Sequence, residues 1–175
     1  MPLVAADDCV VVVVDAQPGF AEDEAARVAL DRAAWLVSLA RRLEVPVVAT
    51  EEEPERNGPT DPRLASDGLL KLTFGLAGTP EILSAVRATG RSTAVLVGFE
   101  TDVCVYQSAV GLLEDGLRVL VVEDATSSPG EMHARGLERL RDAGARLTHC
   151  KALAYEWVRE VARLDVLPRP APFKL

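Results

Sequence analysis

The sequence predicts a doubly wound α/β fold, in which one parallel β-sheet is covered by helices on both faces. Two observations predict it. Stretches rich in valine and leucine alternate with amphipathic stretches, which gives a repeated β-α order along the chain. The strand stretches are also apolar at nearly every position, as residues 9–14 are, and this is typical of strands buried on both faces of a parallel sheet. Right-handed crossovers then connect the strands in a Rossmann-like, three-layer α-β-α sandwich.

The first half of the chain contains three predicted strands and one long helix. Residues 9–14 form a continuous apolar run that stops before a proline and a glycine, which predicts the first strand. Residues 21–43 carry apolar side chains at helical spacing, acids at the start and arginines at the end, which favours an amphipathic helix. Residues 45–50 form the second predicted strand. The polar residues 51–62 are predicted as a loop, and residues 69–72 as a short third strand.

The second half repeats the same alternation. Thr79 followed by a proline and an acid predicts a helix start, and this helix ends before Gly90. Glycines also follow two later helices at the position that favours a left-handed backbone. The predicted strands of this half are residues 93–99, 117–122 and 145–149, and the predicted helices after residue 88 are 102–115, 131–143 and 152–164.

Length and composition indicate an ordinary globular protein. The chain has 175 residues, of which 49% are hydrophobic, and we expect residues 1–175 to form a single domain. Its longest wholly apolar run, residues 9–14, is too short to span a membrane, and the acidic start differs from a signal peptide. Three cysteines, an odd number, fit a reducing compartment, so a cytoplasmic location is expected.

The charge of the chain argues against nucleic acid as a partner. Nineteen basic and 27 acidic residues give a net charge of -8. Surfaces that bind nucleic acid need the opposite sign, because they must neutralise phosphates. A small-molecule substrate is therefore expected, with no nucleic-acid or membrane partner.

Sheets of this kind bind ligands at the carboxyl ends of their strands, so residues that follow strands are the first candidates for a site. Asp15 ends a run of five valines and precedes a turn. Burial there would raise the pKa of its carboxyl group and suit it to proton transfer. The alternative is structural, with the Asp15 side chain capping the turn by accepting backbone N–H bonds.

Cys104 lies where a predicted strand gives way to a helix. The unpaired N–H groups and the positive end of the helix dipole favour a thiolate, which a cysteine nucleophile requires, and could also hold an oxyanion. The alternative is simple packing, since cysteine is among the most buried residue types. Cys9 and Cys150 have no comparable surroundings in sequence, and both are predicted to be structural.

Lys71 interrupts an otherwise apolar stretch, where a lysine needs either a partner or access to water. As a cation beside a cysteine it would stabilise the thiolate, while an aspartate in contact with both would move the proton. The alternative is a side chain that extends to the surface. Spacing alone does not show that Asp15, Lys71 and Cys104 converge.

Several segments resemble those of a known family. They are Asp15-x-Gln17-x-x-Phe20, Thr50-Glu51, Lys71-x-x-Phe74 with Gly78-Thr79, residues 98–105 around Cys104, and residues 122–125 with Ser127 and Ser128. The chain resembles the isochorismatase-like cysteine hydrolases, and the segments span about residues 9–165 in the family's order.

The resemblance implies a sheet of six parallel strands in the order 3-2-1-4-5-6. Asp15 and Cys104 then flank the switch between strands 1 and 4, and Lys71 joins them from strand 3 to complete a Cys-Asp-Lys catalytic triad. The resemblance also implies a cis peptide before Glu100, with the N–H groups of Glu100 and Cys104 forming the oxyanion hole. Gln17, Phe20 and Phe74 are candidates for the pocket wall.

The resemblance to this family also predicts that the site needs no metal or other cofactor. Metal-containing nicotinamidases of the family supply an Asp and several His between the second strand and the catalytic lysine, whereas this chain has only His133 and His149, both far downstream. The acidic segment 51–55 stands there instead, and as a loop it is expected to be solvated rather than to hold a hard cation. It resembles a metal-free subgroup of uncharacterised hydrolases in which Gln commonly stands at the position of Glu52.

The predicted function is hydrolysis of a C–N bond in a small amide-type substrate through a thioester on Cys104. The helix start and Lys71 are expected to lower the pKa of Cys104 on balance, against burial and Asp15. Two alternatives remain: vinyl ether hydrolysis of an isochorismate-like acid with Asp15 as proton donor, and a non-catalytic binding or assembly protein. A homo-oligomer is expected from the resemblance and from an apolar tail, residues 166–173, that a monomer would leave partly exposed.

Overall fold

The protein is built on a six-stranded parallel sheet, and the computed structural model describes residues 3–175. The strands are β1 (Cys9–Val14), β2 (Val47–Glu51), β3 (Leu69–Leu70), β4 (Thr93–Phe99), β5 (Arg118–Ser127) and β6 (Arg146–Thr148). Their order across the sheet is β3-β2-β1-β4-β5-β6, and all neighbours run parallel. The predicted fold class and strand order are confirmed.

Helices cover both faces of the sheet. They are α1 (Glu24–Arg42), α2 (Pro54–Asn57), α3 (Pro80–Ala88), α4 (Tyr106–Glu114), α5 (Met132–Asp142) and α6 (Cys150–Val158). α1 begins after Asp23, whose side chain accepts a hydrogen bond from the N–H of Ala26 at 2.7 Å and so caps the helix. The single turn α2 lies inside the predicted loop 51–62.

The strand β1 lies at the centre of the core, and all six of its residues are buried. Val11 and Val13 pack into the layer formed by α1 and α6. Val10, Val12 and Val14 pack on the opposite face with α3, α4 and α5. The continuous apolar run in the sequence therefore has the expected cause, which is burial on both faces.

The strand β5 runs to Ser127, beyond the end that the apolar pattern predicts. Glu123 and Asp124 interrupt that pattern, but both carboxylates have partners. Glu123 lies 2.7 Å from Nε2 of His149, and Asp124 accepts a hydrogen bond from the backbone N–H of Cys150 at 2.8 Å. Because these polar side chains are satisfied, the strand continues past them.

The last helix is shorter than predicted. α6 ends at Val158, and the next residue, Arg159, has a left-handed backbone with φ of 61°, which an α-helix cannot continue through. Short 3₁₀ turns follow over Val161–Val166. None of the helices formed by residues 3–175 combines the length and the apolar character needed to cross a bilayer.

The C-terminal tail packs against the chain's own first helix. The indole N–H of Trp35 donates to the carbonyl of Pro168 at 2.9 Å, and the rings of Trp35 and Phe173 meet edge to face at 4.8 Å. Leu167 is fully buried. The tail nonetheless remains partly exposed, as expected for a single chain, because Pro170 and Pro172 are exposed and Phe173 is only half-buried.

Gly98 permits an unusually close approach between the two central strands. Its φ is +112°, and a Cβ at this position would lie 2.0 Å from the carbonyl oxygen of Val14. Only glycine is compatible with that backbone and that distance. No side chain can therefore be placed between β1 and β4 directly before the segments that carry Asp15 and Cys104.

Candidate active site

The ends of three strands bring Asp15, Lys71 and Cys104 together. Asp15 follows β1 directly and has a left-handed backbone with φ of 46°. Lys71 follows β3 directly, and Cys104 lies in the turn of π-helix, Thr101–Val105, that joins β4 to α4. These positions lie at the carboxyl edge of the sheet, where folds of this class bind ligands.

Asp15 is fully buried and bound by side chains. Its Oδ1 accepts a hydrogen bond from the Thr50 hydroxyl at 2.7 Å, and its Oδ2 lies 2.9 Å from Nζ of Lys71. Oδ2 is thus held by the Lys71 ammonium, and as a carboxylate oxygen it has a further lone pair that can accept a proton. Burial raises the pKa of Asp15, although Lys71 and Thr50 oppose the rise. Asp15 is therefore a stronger base than an exposed aspartate.

The Lys71 side chain is buried rather than extended to the surface. Its Nζ donates to the carbonyl of Thr73 at 2.9 Å and lies 3.5 Å from Oε2 of Glu52, in addition to the contact with Asp15. Burial is the largest single influence and acts to lower the pKa of Lys71, but Asp15, Cys104 and Glu52 together raise it above its ordinary value. Lys71 is a permanent cation inside the cluster.

Cys104 is 3% exposed and contacts a residue that the sequence does not single out as catalytic. Its Sγ donates to Oε2 of Glu52 at 3.3 Å. One side-chain atom each from Asp15, Glu52 and Cys104 lies within 4.8 Å of the others. The structure thus brings the three predicted residues together and adds Glu52.

The thiol of Cys104 is protonated in the resting protein, contrary to the sequence-based expectation. Burial raises the pKa of Cys104, Asp15 raises it further, and Glu52 adds to the rise, while Lys71 alone opposes these effects. The expected net lowering is wrong, because two carboxylates and burial outweigh one ammonium group. Loss of the thiol proton must therefore accompany its reaction.

Alkylation should report this raised pKa. We expect iodoacetamide to label Cys104 before Cys9 and Cys150, which are completely buried and whose pKa values burial also raises, that of Cys9 to about 11. Because the thiolate is the reacting species, the labelling rate should rise steadily between about pH 5 and pH 9 without a plateau. Peptide mapping after limited alkylation measures it. A plateau near pH 7 would show that the pKa of Cys104 is lowered after all. Earlier labelling of Cys9 or Cys150 would show that Cys104 is not the reactive thiol.

The turn around Cys104 is held by its backbone and by β5. The peptide between Phe99 and Glu100 is cis. The carbonyl of Glu100 accepts the N–H of Val105 at 3.0 Å, and the Ser128 hydroxyl donates to Asp102 at 2.6 Å. Burial raises the pKa of Glu100, and the carboxylates of Asp102 and Glu52 add to it.

An open cleft of about 960 Å³ lies beside the cluster. Glu52 and Lys71 form its polar wall, and Leu70, Leu72 and Phe74 form its apolar wall. Phe74 thus borders the cleft as the sequence predicts. The other two residues predicted for the pocket wall, Gln17 and Phe20, lie elsewhere.

Gln17 is fully buried and holds the backbone of Glu52. Its Oε1 accepts the N–H of Glu52 at 2.8 Å, and its Nε2 donates to the carbonyl of Glu52 at 3.0 Å and to that of Gly58 at 2.5 Å. Phe20 packs against the core on the α1 side. Gln17 therefore fixes the loop and does not line the cleft. Its place in the sequence, shortly after β1, is compatible with either role and does not distinguish them.

Comparison with known proteins identifies the family. Residues 9–151 match the isochorismatase domain. The chain belongs to the isochorismatase family. A curated relative, isochorismatase domain-containing protein 2 of Xenopus laevis, is 34% identical over 151 residues, which are 79% of this chain and 73% of the relative.

Two solved structures share the fold of this family member over most of their length. The YcaC gene product of Escherichia coli, an octameric hydrolase of unknown specificity, has a TM-score of 0.85 and 26% identity, covering 94% of this chain and 88% of its own. MAR1 ribonuclease of Caenorhabditis elegans has a TM-score of 0.83 and 27% identity, covering 98% and 97%. Family membership and these likenesses support a hydrolase.

The residues of this family member do not fit the metal site of the family's nicotinamidases. His133 pairs through Nδ1 with the Thr101 hydroxyl at 2.9 Å, and His149 pairs with Glu123. The only group of at least three potential ligands in the described chain is Asp15, Glu52 and Cys104, and the ammonium of Lys71 already lies against both carboxylates. The Lys71 ammonium therefore occupies the place between the two carboxylates that a metal ion bound by these residues would take.

Chelation should leave the protein's activity unchanged. Treatment with EDTA or phenanthroline removes a bound metal without touching the Lys71 cluster, so the hydrolysis rate should stay the same within error. Metal analysis before and after treatment is the control. A stoichiometric zinc or iron that is lost together with activity would contradict this prediction.

Proposed function

We propose that this protein hydrolyses a C–N bond of a small amide-type compound, with Cys104 as the nucleophile. The observation that carries the proposal is the buried cluster in which a thiol, a strengthened base and a permanent cation meet beside an open cleft. A nucleophile, a base within reach and a third group that orients them are the requirements of covalent catalysis.

The geometry supports one order of events. Asp15 takes the thiol proton through Oδ2 as Sγ of Cys104 attacks the carbonyl carbon, and the N–H groups of Glu100 and Cys104 hold the oxyanion. Asp15 then returns the proton to the leaving amine, the C–N bond breaks, and a thioester remains. A water molecule attacks the thioester, Asp15 accepts its proton, and the acid is released with the thiol restored. Lys71 balances the negative charge throughout.

Three rivals are weaker on particular observations. An isochorismate-like acid carries carboxylates, and these would be repelled by the carboxylate of Glu52, which lies beside Cys104. A ribonuclease activity like that of the Caenorhabditis elegans neighbour would bring phosphates to the same carboxylate, on a chain with a net charge of -8. A non-catalytic role leaves the buried charge pair of Asp15 and Lys71 without a purpose.

A screen of small amides read by ammonia release tests the proposal. Wild type should release ammonia from at least one amide, Cys104→Ala should not, and Cys9→Ala should behave as wild type because Cys9 lies at the other end of β1. An acid-quenched reaction should show the acyl mass on the peptide that contains Cys104. Full activity in Cys104→Ala would refute the nucleophile, and cleavage of RNA or a vinyl ether without amide turnover would favour a rival.

We further propose that the protein is a homo-oligomer, dimer or larger. The apolar rim, which we define as Leu69, Leu70, Leu72 and Phe74, lies at the edge of the sheet beside the cleft, and Leu72 is 79% exposed. Such a contiguous exposed apolar patch on an edge strand is typical of an interface. The YcaC gene product of Escherichia coli is octameric, and this supports the proposal that the present protein also forms an oligomer.

The oligomer should depend on the apolar rim. Light scattering is expected to give a mass of at least twice 18.8 kDa, and Leu72→Glu should reduce it because a carboxylate cannot be buried without a partner. Val161→Glu is the matched control, since Val161 is equally exposed but lies outside the rim. A single 18.8 kDa species for wild type at micromolar concentration would contradict the proposal.

We also propose a cytoplasmic location. The three unpaired thiols support it, because such thiols are typical of a reducing compartment.

A further inference from the structure

Glu52 is held in place more firmly than an ordinary loop carboxylate. Gln17 binds its backbone on both sides, and Asn57 donates to its carbonyl at 2.9 Å. The side chain is 20% exposed and reaches both Sγ of Cys104 and Nζ of Lys71. The loop therefore presents one carboxylate to the reacting thiol in a fixed position.

Near Cys104, the described residues leave no positive charge to balance the negative charge of Glu52. Lys71 is matched by Asp15 at 2.9 Å, which is closer than its 3.5 Å to Glu52. Of the other charged groups at the cleft, Arg56 pairs with Glu53 at 3.4 Å. The remaining carboxylates on this side belong to Glu100 and Asp102 and add further negative charge. The field at the thiol is therefore negative on balance.

The position of Glu52 also sets what can lie next to the scissile carbonyl. A carbonyl carbon ready for attack lies about 3 to 3.5 Å from the nucleophile. The Glu52 oxygen is 3.3 Å from the same sulfur, so the carbonyl carbon under attack lies no more than about 7 Å from this carboxylate. An ionised carboxylate accepts hydrogen bonds and donates none, and it repels another anion.

We infer that Glu52 selects a substrate with a positively charged nitrogen, an ammonium, amidinium or guanidinium group, close to the scissile carbonyl. This inference rests on the proposed function, because it takes Cys104 as the nucleophile. Carboxylate and phosphate substrates are rejected by the same charge.

The inference can be tested without knowing the substrate, through thiol-reactive probes of matched size and opposite charge. The probes are the trimethylammonium-ethyl and the sulfonato-ethyl methanethiosulfonates. In each case the Cys104 thiolate forms a disulfide with the probe's thioalkyl group and expels methanesulfinate, and the thiol proton passes to the buffer. The ratio of the two rates measures charge selection, since a change in the acidity of the thiol affects both rates equally.

We expect wild type to react about tenfold or more faster with the cationic probe than with the anionic one, and Glu52→Gln to bring the ratio close to one. Glu55→Gln is the matched control, because Glu55 is an exposed acid of the same loop that does not line the cleft. It should keep the wild-type ratio. Peptide mapping assigns the modified thiol, and Cys104→Ala gives the background.

The outcomes separate the inference from the proposed function. A wild-type ratio near one, or a ratio that Glu52→Gln leaves unchanged, overturns charge selection while Cys104 stays the reactive thiol. A Cys104 that none of the probes modifies overturns both. A fall in the ratio for Glu52→Gln alone supports the inference, and amides with a cationic group should then be the ones that release ammonia.

Discussion

Replacing Asp15 by Asn is expected to lower the rate of amide hydrolysis by about a hundredfold to ten-thousandfold, the usual contribution of a positioned acid–base group. The loss follows because the thiol of Cys104 holds its proton in the resting protein, and the buried Asp15 carboxylate, whose pKa is raised, lies within 4.8 Å of Sγ. The same substitution should make Cys104 easier to alkylate, since the charge of Asp15 raises the pKa of the thiol. Turnover and labelling should move in opposite directions.

Kinetics on an amide found by the screen and timed alkylation of the same preparation measure both effects. Asp31→Asn is the matched control, because Asp31 is an exposed aspartate that also pairs with a cation, Arg63 at 2.7 Å. It should alter neither rate. Retained turnover in Asp15→Asn would show that another group moves the proton, and slower labelling would show that the variant has lost the geometry of the site.

Replacing Lys71 by Met is expected to destabilise the protein by about 3 to 5 kcal/mol at neutral to alkaline pH, because removing one partner of a buried ion pair leaves the other charge uncompensated. Asp15 is that charge, and both side chains are fully buried. Since Lys71 lowers the pKa of Asp15, its loss lets burial raise that pKa further. The folded protein then binds more protons than the unfolded chain above the unfolded pKa of about 3.9, so stability falls as the pH rises through this window.

Urea unfolding at about pH 5 and pH 8 measures the effect, which should be larger at pH 8. Asp15→Asn combined with Lys71→Met should recover most of the stability and lose the added pH dependence, but it should stay inactive. Lys151→Met is the control, because Lys151 is exposed and bonds only a tail carbonyl. An equal loss at both pH values, or a double variant as unstable as the single one, would contradict this account.

Two general rules let the sequence predict that Asp15 and Lys71 lie at one edge of the sheet. Strands buried on both faces carry no alternation, so the valines of β1 reveal a parallel sheet. Parallel strands then bring the residues that follow them, Asp15 and Lys71, to one edge. The order of the strands came from the family resemblance and not from these patterns.

The remaining features depend on distances that no spacing encodes. The contact between Glu52 and Cys104 joins residues 52 positions apart, and it depends on a loop that Gln17 fixes from β1. The raised pKa of Cys104 is the sum of opposing effects whose sizes depend on burial and separation. The end of β5 was misplaced for the same reason, since the partners of Glu123 and Asp124 come from β6 and α6.

The contact between Gly98 and Val14 has a consequence for how such a protein can diverge. Because no side chain fits at position 98, the distance between the strands that precede Asp15 and Cys104 is fixed by main-chain atoms, and no ordinary substitution at this position can change it. Position 52 has no such restriction, since its side chain is 20% exposed. A substitution at position 52 can therefore alter the charge beside Cys104 without changing the spacing between the two strands.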